Sequence, residues 1–312
     1  MSGSADAAAG PTIVVRDLRK TYGELDAVGG ISFEVARGEV FALLGPNGAG
    51  KTTTTEILEG FRPRTAGEIE VLGRDPGRAD AELKSRIGIV LQSTGVDAFL
   101  TVRETVEFYR GLYPAPRDGD EVIRLVGLTE KRDVKVTKLS GGQKRRLDVA
   151  IALAGDPELL FLDEPTTGFD PSARRNAWEI VKSLAELGKT VFLTTHFMDE
   201  AQYLADRVAI IARGSIVAEG TPDTLGGRDT AKTHIRFRLP AGIAAAGLPQ
   251  IGQRTAPDGA FLAEVEDPVG PLHQLTGWAS EHRVRFEVLE VSRPSLEDVY
   301  LAITGGDEVT ES

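Results

Sequence analysis

The sequence has no cysteine among its 312 residues. That excludes a disulfide scaffold and any thiolate metal site, and it agrees with a reducing compartment. No stretch approaches the ~18 uninterrupted apolar residues that a membrane-spanning helix needs, so any membrane role has to come through a partner. Cations are outnumbered, with 36 Lys and Arg against 47 Asp and Glu, a formal net charge of −11. A chain this acidic is a poor match for broad binding to nucleic acid or to an anionic membrane surface. Met1 to Pro11 is small and polar, with neither the basic segment nor the apolar core of a signal peptide, and it reads as a disordered lead-in. No internal repeat is visible.

What is present is ordinary in bulk, 41% hydrophobic and 27% charged, as expected of a soluble globular protein with one large domain or two. The information lies in the pattern. Ile13-Val14-Val15 begins a strand that runs toward Tyr22, and Ile31, Phe33 and Val35 alternate with polar residues as a second one. Val40 to Leu44 is a buried strand, Gly67 to Gly73 another, and Ile87 to Leu91 a short one ending at Gln92. Between about 95 and 155 the period becomes helical (Val102, Val106, Tyr109, then Val122, Leu125, Val126), with Pro114 and Pro116 as breaks. Strands return at Leu159 to Leu162 and Val191 to Thr194, and Ala209 to Ile211 pairs with Ser215 to Val217 across Arg213-Gly214. This alternation predicts an α/β fold with a mainly parallel sheet covered by helices on both faces. A boundary follows near Gly226 to Asp229. Beyond it Ile235, Phe237 and Leu239, then Phe261, Ala263 and Val265, then Val284, Phe286 and Val288 alternate as strands, and Leu272, Leu275 and Trp278 share a helical face. The tail is therefore expected to be a small α+β domain.

Gly45-Pro46-Asn47-Gly48-Ala49-Gly50-Lys51-Thr52-Thr53 fits G-x-x-x-x-G-K-S/T, the phosphate-binding loop. Glycines let backbone N–H groups wrap a phosphate, Lys51 reaches the β- and γ-phosphates, and the Thr52 hydroxyl ligates Mg²⁺. The loop lies between a buried strand and a helix start at Thr52 to Leu58, whose positive end faces the anion. The chain thus binds a nucleoside triphosphate. Asp163-Glu164 closes the apolar run Leu159 to Leu162, placing two carboxylates at the carboxyl end of a buried strand. One can hold the metal shell while the other polarises an attacking water. Leu139-Ser140-Gly141-Gly142-Gln143 opens an amphipathic helix through Leu147, Ala150 and Leu153 and makes a second anion-binding N-terminus. Lys144-Arg145-Arg146 reads as a solvated helix face, Trp178 and Trp278 as packing, and His234, His273 and His282 as surface or packing residues.

Leu139 to Gln143 matches the signature of ATP-binding cassette (ABC) ATPases, and it ends twenty residues before Asp163, as in that family. The resemblance implies a cassette at 12–227, with a mainly parallel core sheet, an antiparallel β subdomain and a helical subdomain at about 95–155. A separate α+β domain at 228–312 would follow. It implies further roles by position. Tyr22 would stack on adenine, and Gln92 would sense the metal and touch the transport partner. Asp163 would hold Mg²⁺ and Glu164 would act as general base. Asp170 would lie in the loop that crosses a dimer, and His196 would contact the γ-phosphate. In the family two cassettes pair head to tail, so each ATP lies between one phosphate loop and the partner's Ser140-to-Gln143 segment. The cross-dimer loop departs slightly, reading Gly168-Phe169-Asp170 where Leu is commoner than Phe.

Three further segments resemble the daunorubicin-resistance subgroup, in which a separate ATPase drives an exporter permease. They are Thr195 to Ala201, Leu58-Glu59-Gly60-Phe61-Arg62, and Pro294 to Leu301. The resemblance implies an ATPase on the cytoplasmic face of a membrane, using ATP and Mg²⁺ and partnered by a permease and a second cassette, with no nucleic-acid partner. An importer ATPase with a regulatory tail and a soluble cassette acting on ribosomes or DNA remain as alternatives.

Overall fold

The computed structural model describes residues 10–304 apart from 79, 91–96, 229–231, 244, 246 and 257. In chain order, Ile13–Tyr22 (β1) and Leu25–Val35 (β2) form a hairpin, Val40–Leu44 (β3) leads into Lys51–Leu58 (α1), and Ala66–Val71 (β4) returns to pair with β1. Asp80 caps Ala81–Arg86 (α2), its carboxylate accepting from the N–H of Glu82 at 2.8 Å, and Ile87–Val90 (β5) follows. Three side-chain-capped helices come next. These are Val102–Arg110 (α3) behind Thr101, Gly119–Leu125 (α4) behind Asp118, and Gly141–Leu153 (α5) behind Ser140. Such caps satisfy N–H groups that a helix cannot satisfy itself. Leu159–Asp163 (β6), Pro171–Glu186 (α6), Thr190–Thr195 (β7), Met198–Leu204 (α7), Arg207–Ala212 (β8) and Ser215–Gly220 (β9) complete the first unit.

Two sheets result. The larger has the order β5-β6-β7-β3-β8-β9, parallel except for the β8–β9 hairpin. The smaller is antiparallel, β2-β1-β4. All five residues of β3 are buried, as the unbroken apolar run requires of a strand with neighbours on both sides. The two sheets share one core. Phe33 of β2 stacks on Phe41 of β3 at 5.3 Å and on Phe192 of β7 at 6.0 Å. Each such fully buried aromatic is worth on the order of 2–3 kcal/mol over an exposed one. Helices α3 to α5 are inserted between β5 and β6, which are neighbours in the sheet, so the excursion leaves and re-enters at one edge. The α/β architecture expected from the alternation of strands and helices, with its antiparallel and helical parts, is the one observed.

The described residues divide into two compact units between Pro222 and Asp223, ahead of the glycines at 226 and 227. The six residues after Pro222 belong with the second unit for local reasons: Arg228 Nε donates to Pro294 O at 2.7 Å, and Gly226 lies against Val299. This unit holds Thr233–Arg238 (β10), Arg254–Thr255 (β11), Phe261–Val265 (β12), Val269–Glu281 (α8), Val288–Ser292 (β13) and Leu296–Thr304 (α9). Its antiparallel sheet has the order β11-β12-β10-β13, and Ile235, Phe237, Ala263, Leu275 and Trp278 form a core of its own.

The third tail strand starts later than its alternation suggested. Pairing of β13 with β10 begins at Val288 opposite Arg238. Two residues earlier, Phe286 would face Pro240, which has no N–H to give a ladder. Val284 and Phe286 keep their alternation but spend it packing on the core. Leu91, Gln92 and residues 1–9 of the lead-in lie outside the described residues.

Candidate functional site

The sheet order builds the site. β6, β7 and β3 are parallel neighbours, with Asp163 level with Thr194 and Leu44 level with Thr195. The residues that follow these strands (Glu164, His196 and Gly45) therefore leave the sheet side by side at its carboxyl edge, where open α/β sheets bind ligands.

Gly45 and Gly50 are fixed by packing as much as by any ligand. A Cβ on Gly45 would meet Ile211 O of β8 at 2.3 Å, and one on Gly50 would meet Ala27 O of β2 at 2.5 Å. Gly50 also has φ +107°, in the left-handed region that favours glycine. Between them Pro46 is half-buried, Asn47 and Gly48 are exposed, and Ala49 is buried, its N–H bonded to Pro46 O at 3.2 Å. The run of threonines divides its labour. Thr54 and Thr55 are buried and bond back to Gly50 O at 2.9 Å and Lys51 O at 3.1 Å, whereas Thr52 is exposed and Thr53 half-buried at the helix start.

Lys51 is 3% exposed, and its Nζ donates to Gly45 O at 2.8 Å and Pro46 O at 3.1 Å. The same ammonium lies 3.4 Å from Glu164 Oε1, and His196 Nδ1 lies 3.3 Å from that oxygen. Burial lowers the Lys51 pKa, against the pull of the Glu164 and Asp163 carboxylates. For Glu164 the largest effect is burial, which would raise its carboxyl. The Lys51 charge and His196 together outweigh it, so its pKa is lowered and the group is ionised at neutral pH. Its backbone sits at φ +45°, an unusual conformation for a side-chain-bearing residue, held by N–H donation to Thr194 O at 3.1 Å. Burial raises the Asp163 pKa, and the Thr194 hydroxyl donates to its Oδ1.

The remaining expected residues gather elsewhere. Ser140, Gly141, Gly142, Gln143 and Asp170 line one cavity of about 610 Å³. Ser140 and Gln143 form a capping box, Gln143 N–H donating to Ser140 Oγ at 3.3 Å and Ser140 N–H to Gln143 Oε1 at 3.0 Å. Asp170 caps α6 through the N–H groups of Ser172 and Ala173, both at 2.9 Å. Among the described residues, no hydrogen bond or ion pair joins residues 140–143 to residues 45–53. The two groups of residues are thus separate within one copy of the chain. Tyr22, 39% exposed at the end of β1, has the Lys20 ammonium 4.9 Å and the Arg62 guanidinium 5.5 Å from its ring centre. Gln92 lies outside the described residues.

The basic run at 144–146 is not a uniformly solvated face. Arg145 is 9% exposed, and its Nε donates to Pro165 O at 3.1 Å. A helix turns successive residues by about 100°, so one of three neighbours faces the core. Sequence reasoning also missed Thr194, which is legible only once β6 and β7 are in register. His282 packs as expected, stacked on Trp278 with 4.8 Å between ring centres.

The ABC transporter family model matches residues 28–167, and the model described as the C-terminal domain of ABC transporter domain-containing proteins matches residues 233–295. The linearmycin resistance ATP-binding protein LnrL of Bacillus subtilis is 38% identical over 93% of this chain and 97% of its own. The daunorubicin resistance ATP-binding protein DrrA3 of Streptomyces coeruleorubidus is 38% identical over 95% and 96%. The Nod factor export ATP-binding protein I of Paraburkholderia xenovorans is 39% identical over 92% and 95%. The chain belongs to the ABC transporter family. Among solved structures, cbiO1 from Clostridium perfringens, part of an ABC transporter complex, superposes with a TM-score of 0.62 at 29% identity over 68% of this chain and 89% of that one. A dimeric ABC cassette bound to ADP and Pi gives 0.59 at 28% identity over 67% and 98%.

As an ABC ATPase the chain uses ATP with Mg²⁺, and its residues suit both. Thr52 offers an exposed hydroxyl, and Asp163 is a carboxylate whose burial a nearby cation would offset. Such oxygen donors, few in number and completed by phosphate and water, are what Mg²⁺ takes.

Proposed function

We propose that this chain is the ATP-hydrolysing subunit of a multisubunit ABC exporter for drug-like or lipophilic compounds, working as a head-to-tail pair on the cytoplasmic face of a membrane. The observation that carries the catalytic part is the convergence of Lys51 Nζ and His196 Nδ1 on one oxygen of Glu164. Glu164, ionised and fixed at the sheet edge, accepts the proton of the water that attacks the γ-phosphate. Lys51 neutralises charge on the β- and γ-phosphates, and His196 holds the γ-phosphate and water in line. Thr52 and Asp163, with Gln92, would hold Mg²⁺, which supplies charge neutralisation on the phosphates. Tyr22 stacks on adenine. Ser140, Gly141, Gly142 and Gln143, with Asp170 beside them, complete the partner's site, which the separation of the two half-sites in one protomer supports.

Export is supported by the relatives, which are named for resistance and for export and which match this chain in both units. No described helix is long and apolar enough to cross a membrane, so transport needs a permease subunit. Phe99, Phe108 and Leu112 of the helical insertion are 76%, 61% and 66% exposed, apolar side chains that such a subunit would cover on docking there. The test is a pull-down of tagged Glu164→Gln protein from detergent-solubilised native membranes with Mg·ATP. A polytopic permease without its own cassette should co-purify. Ribosomal or DNA-repair proteins without any membrane protein would overturn the exporter reading.

A further inference from the structure

Glu200 is a charged residue with 0% exposure, four positions after His196. Its Oε1 accepts two hydrogen bonds, from the Thr166 hydroxyl at 2.7 Å and from Trp178 Nε1 at 3.0 Å. These three residues belong to three different segments. Glu200 is on α7, directly after the His196 turn. Trp178 is on α6, which Asp170 caps. Thr166, 1% exposed, is on the loop between Glu164 and Asp170. The Thr195 side chain also faces this carboxyl, while Oε2 is buried and makes no hydrogen bond among the described residues, so the two bonds to Oε1 are what tie it to the loop and to α6.

The loop has further anchors. Thr167 Oγ1 donates to Glu164 Oε2 at 3.2 Å, Phe169 N–H returns to Thr166 O at 3.1 Å, and on the far side Arg145 holds Pro165 O. The Glu164 end of the loop is tied to the histidine segment directly, through Thr194 O and His196 Nδ1, whereas the Thr166–Glu200 bond ties the middle of the loop to α7. Contacts between α6 and α7 stiffen the frame. The Arg174 guanidinium lies 4.0 Å from the Phe197 ring centre, and Tyr203 packs on Trp178 at 5.1 Å. We propose that Glu200 is a positioning residue, a buried strut that holds the loop behind Glu164 against α7 through Thr166, with the Trp178 bond serving only to anchor the carboxyl. One carboxyl oxygen would thus keep the loop that follows the base in place against α7. The inference rests on the catalytic reading given above for Glu164 and His196.

The comparison that tests it uses two donors to the same oxygen. Thr166→Val removes the bond to the catalytic loop, and Trp178→Phe removes the bond to α6. Steady-state ATPase kinetics on the full chain, well below each variant's melting temperature, should show Thr166→Val with kcat down about tenfold and KM within about twofold, since misplacing a reacting group costs turnover more than binding. Thr166→Ser should return kcat to within about twofold of wild type, and Trp178→Phe should stay within the same range while melting lower. Wild-type kcat in Thr166→Val, or equal losses in Thr166→Val and Trp178→Phe, would overturn the strut. Should Thr166→Val be recovered unfolded, Thr166→Ala carries the same comparison. Glu164→Gln is run alongside. Turnover equal to wild type there would overturn the reading of Glu164 itself, a failure distinct from that of Glu200.

Discussion

A single carboxyl shows how strongly position governs the chemistry of a residue. Glu59, at the end of the phosphate-loop helix, is 5% exposed, and burial, with Asp163 and Glu56 adding repulsion, pushes its pKa up to about 8. An unfolded chain would release that proton near the ordinary value of 4.5. Between those two values the folded state holds a proton that the unfolded state has lost, so stability falls as pH rises through the window and the contribution is gone above about 8. Glu59→Gln keeps the neutral shape at every pH. It should leave the melting temperature near pH 4.5 almost unchanged and raise it by about 2–4 °C or more at pH 9, with EDTA present to exclude bound metal. An equal shift at both pH values would contradict the assignment. The sequence showed Glu59 only as part of Leu58 to Arg62, a short string resembling one subgroup. Its burial depends on how α1 packs, which no local pattern encodes. Lys51 was singled out by the phosphate-loop motif, Glu164 by the apolar strand before it and His196 by the family resemblance, whereas Thr166, Glu200 and Arg145 were not, because their partners lie on other elements.

At the level of elements, the phosphate loop is a packing solution before it is a binding one. Gly50 is required by its positive φ and by the Ala27 carbonyl 2.5 Å from where a Cβ would sit. Gly50→Ala should therefore destabilise the nucleotide-free protein by about 2–3 kcal/mol, read as a lower urea midpoint with an unchanged slope. A midpoint equal to wild type would mean the loop is freer than the strand contacts imply. The strands were readable from their apolar runs, since β3, β6 and β7 are buried on both faces and can tolerate little else. The tail strand was placed too early because alternation reports burial rather than pairing. Val284 and Phe286 are partly buried, yet Pro240, which falls opposite Phe286, has no N–H to carry the ladder on.

Over the whole molecule, two separate hydrophobic cores lie in two compact units. Ligands stabilise only the unit that binds them. Calorimetry should resolve two transitions, and ATP analogues with Mg²⁺ should move only the one belonging to residues 10–222. A single transition that shifts as one would show the units to be energetically coupled. The two units divide between Pro222 and Asp223, ahead of the glycine-rich stretch near 226. Arg228 and Gly226 are tied to Pro294 and Val299, contacts some seventy residues away in sequence. The largest-scale feature, the separation of the Ser140-to-Gln143 segment from the phosphate loop, is what the proposed head-to-tail pairing of two copies accounts for. On that proposal each copy would bring half of each site, so nucleotide and dimer would stabilise one another.

That claim has a direct measurement. Glu164→Gln retains the loop, Lys51 and His196 but removes the base, which should lower ATP turnover by about a hundredfold or more. With Mg·ATP, the same variant should sediment as a dimer in analytical ultracentrifugation, and without nucleotide as a monomer. A variant that turns over ATP at the wild-type rate, or that remains monomeric with Mg·ATP bound, would contradict the account.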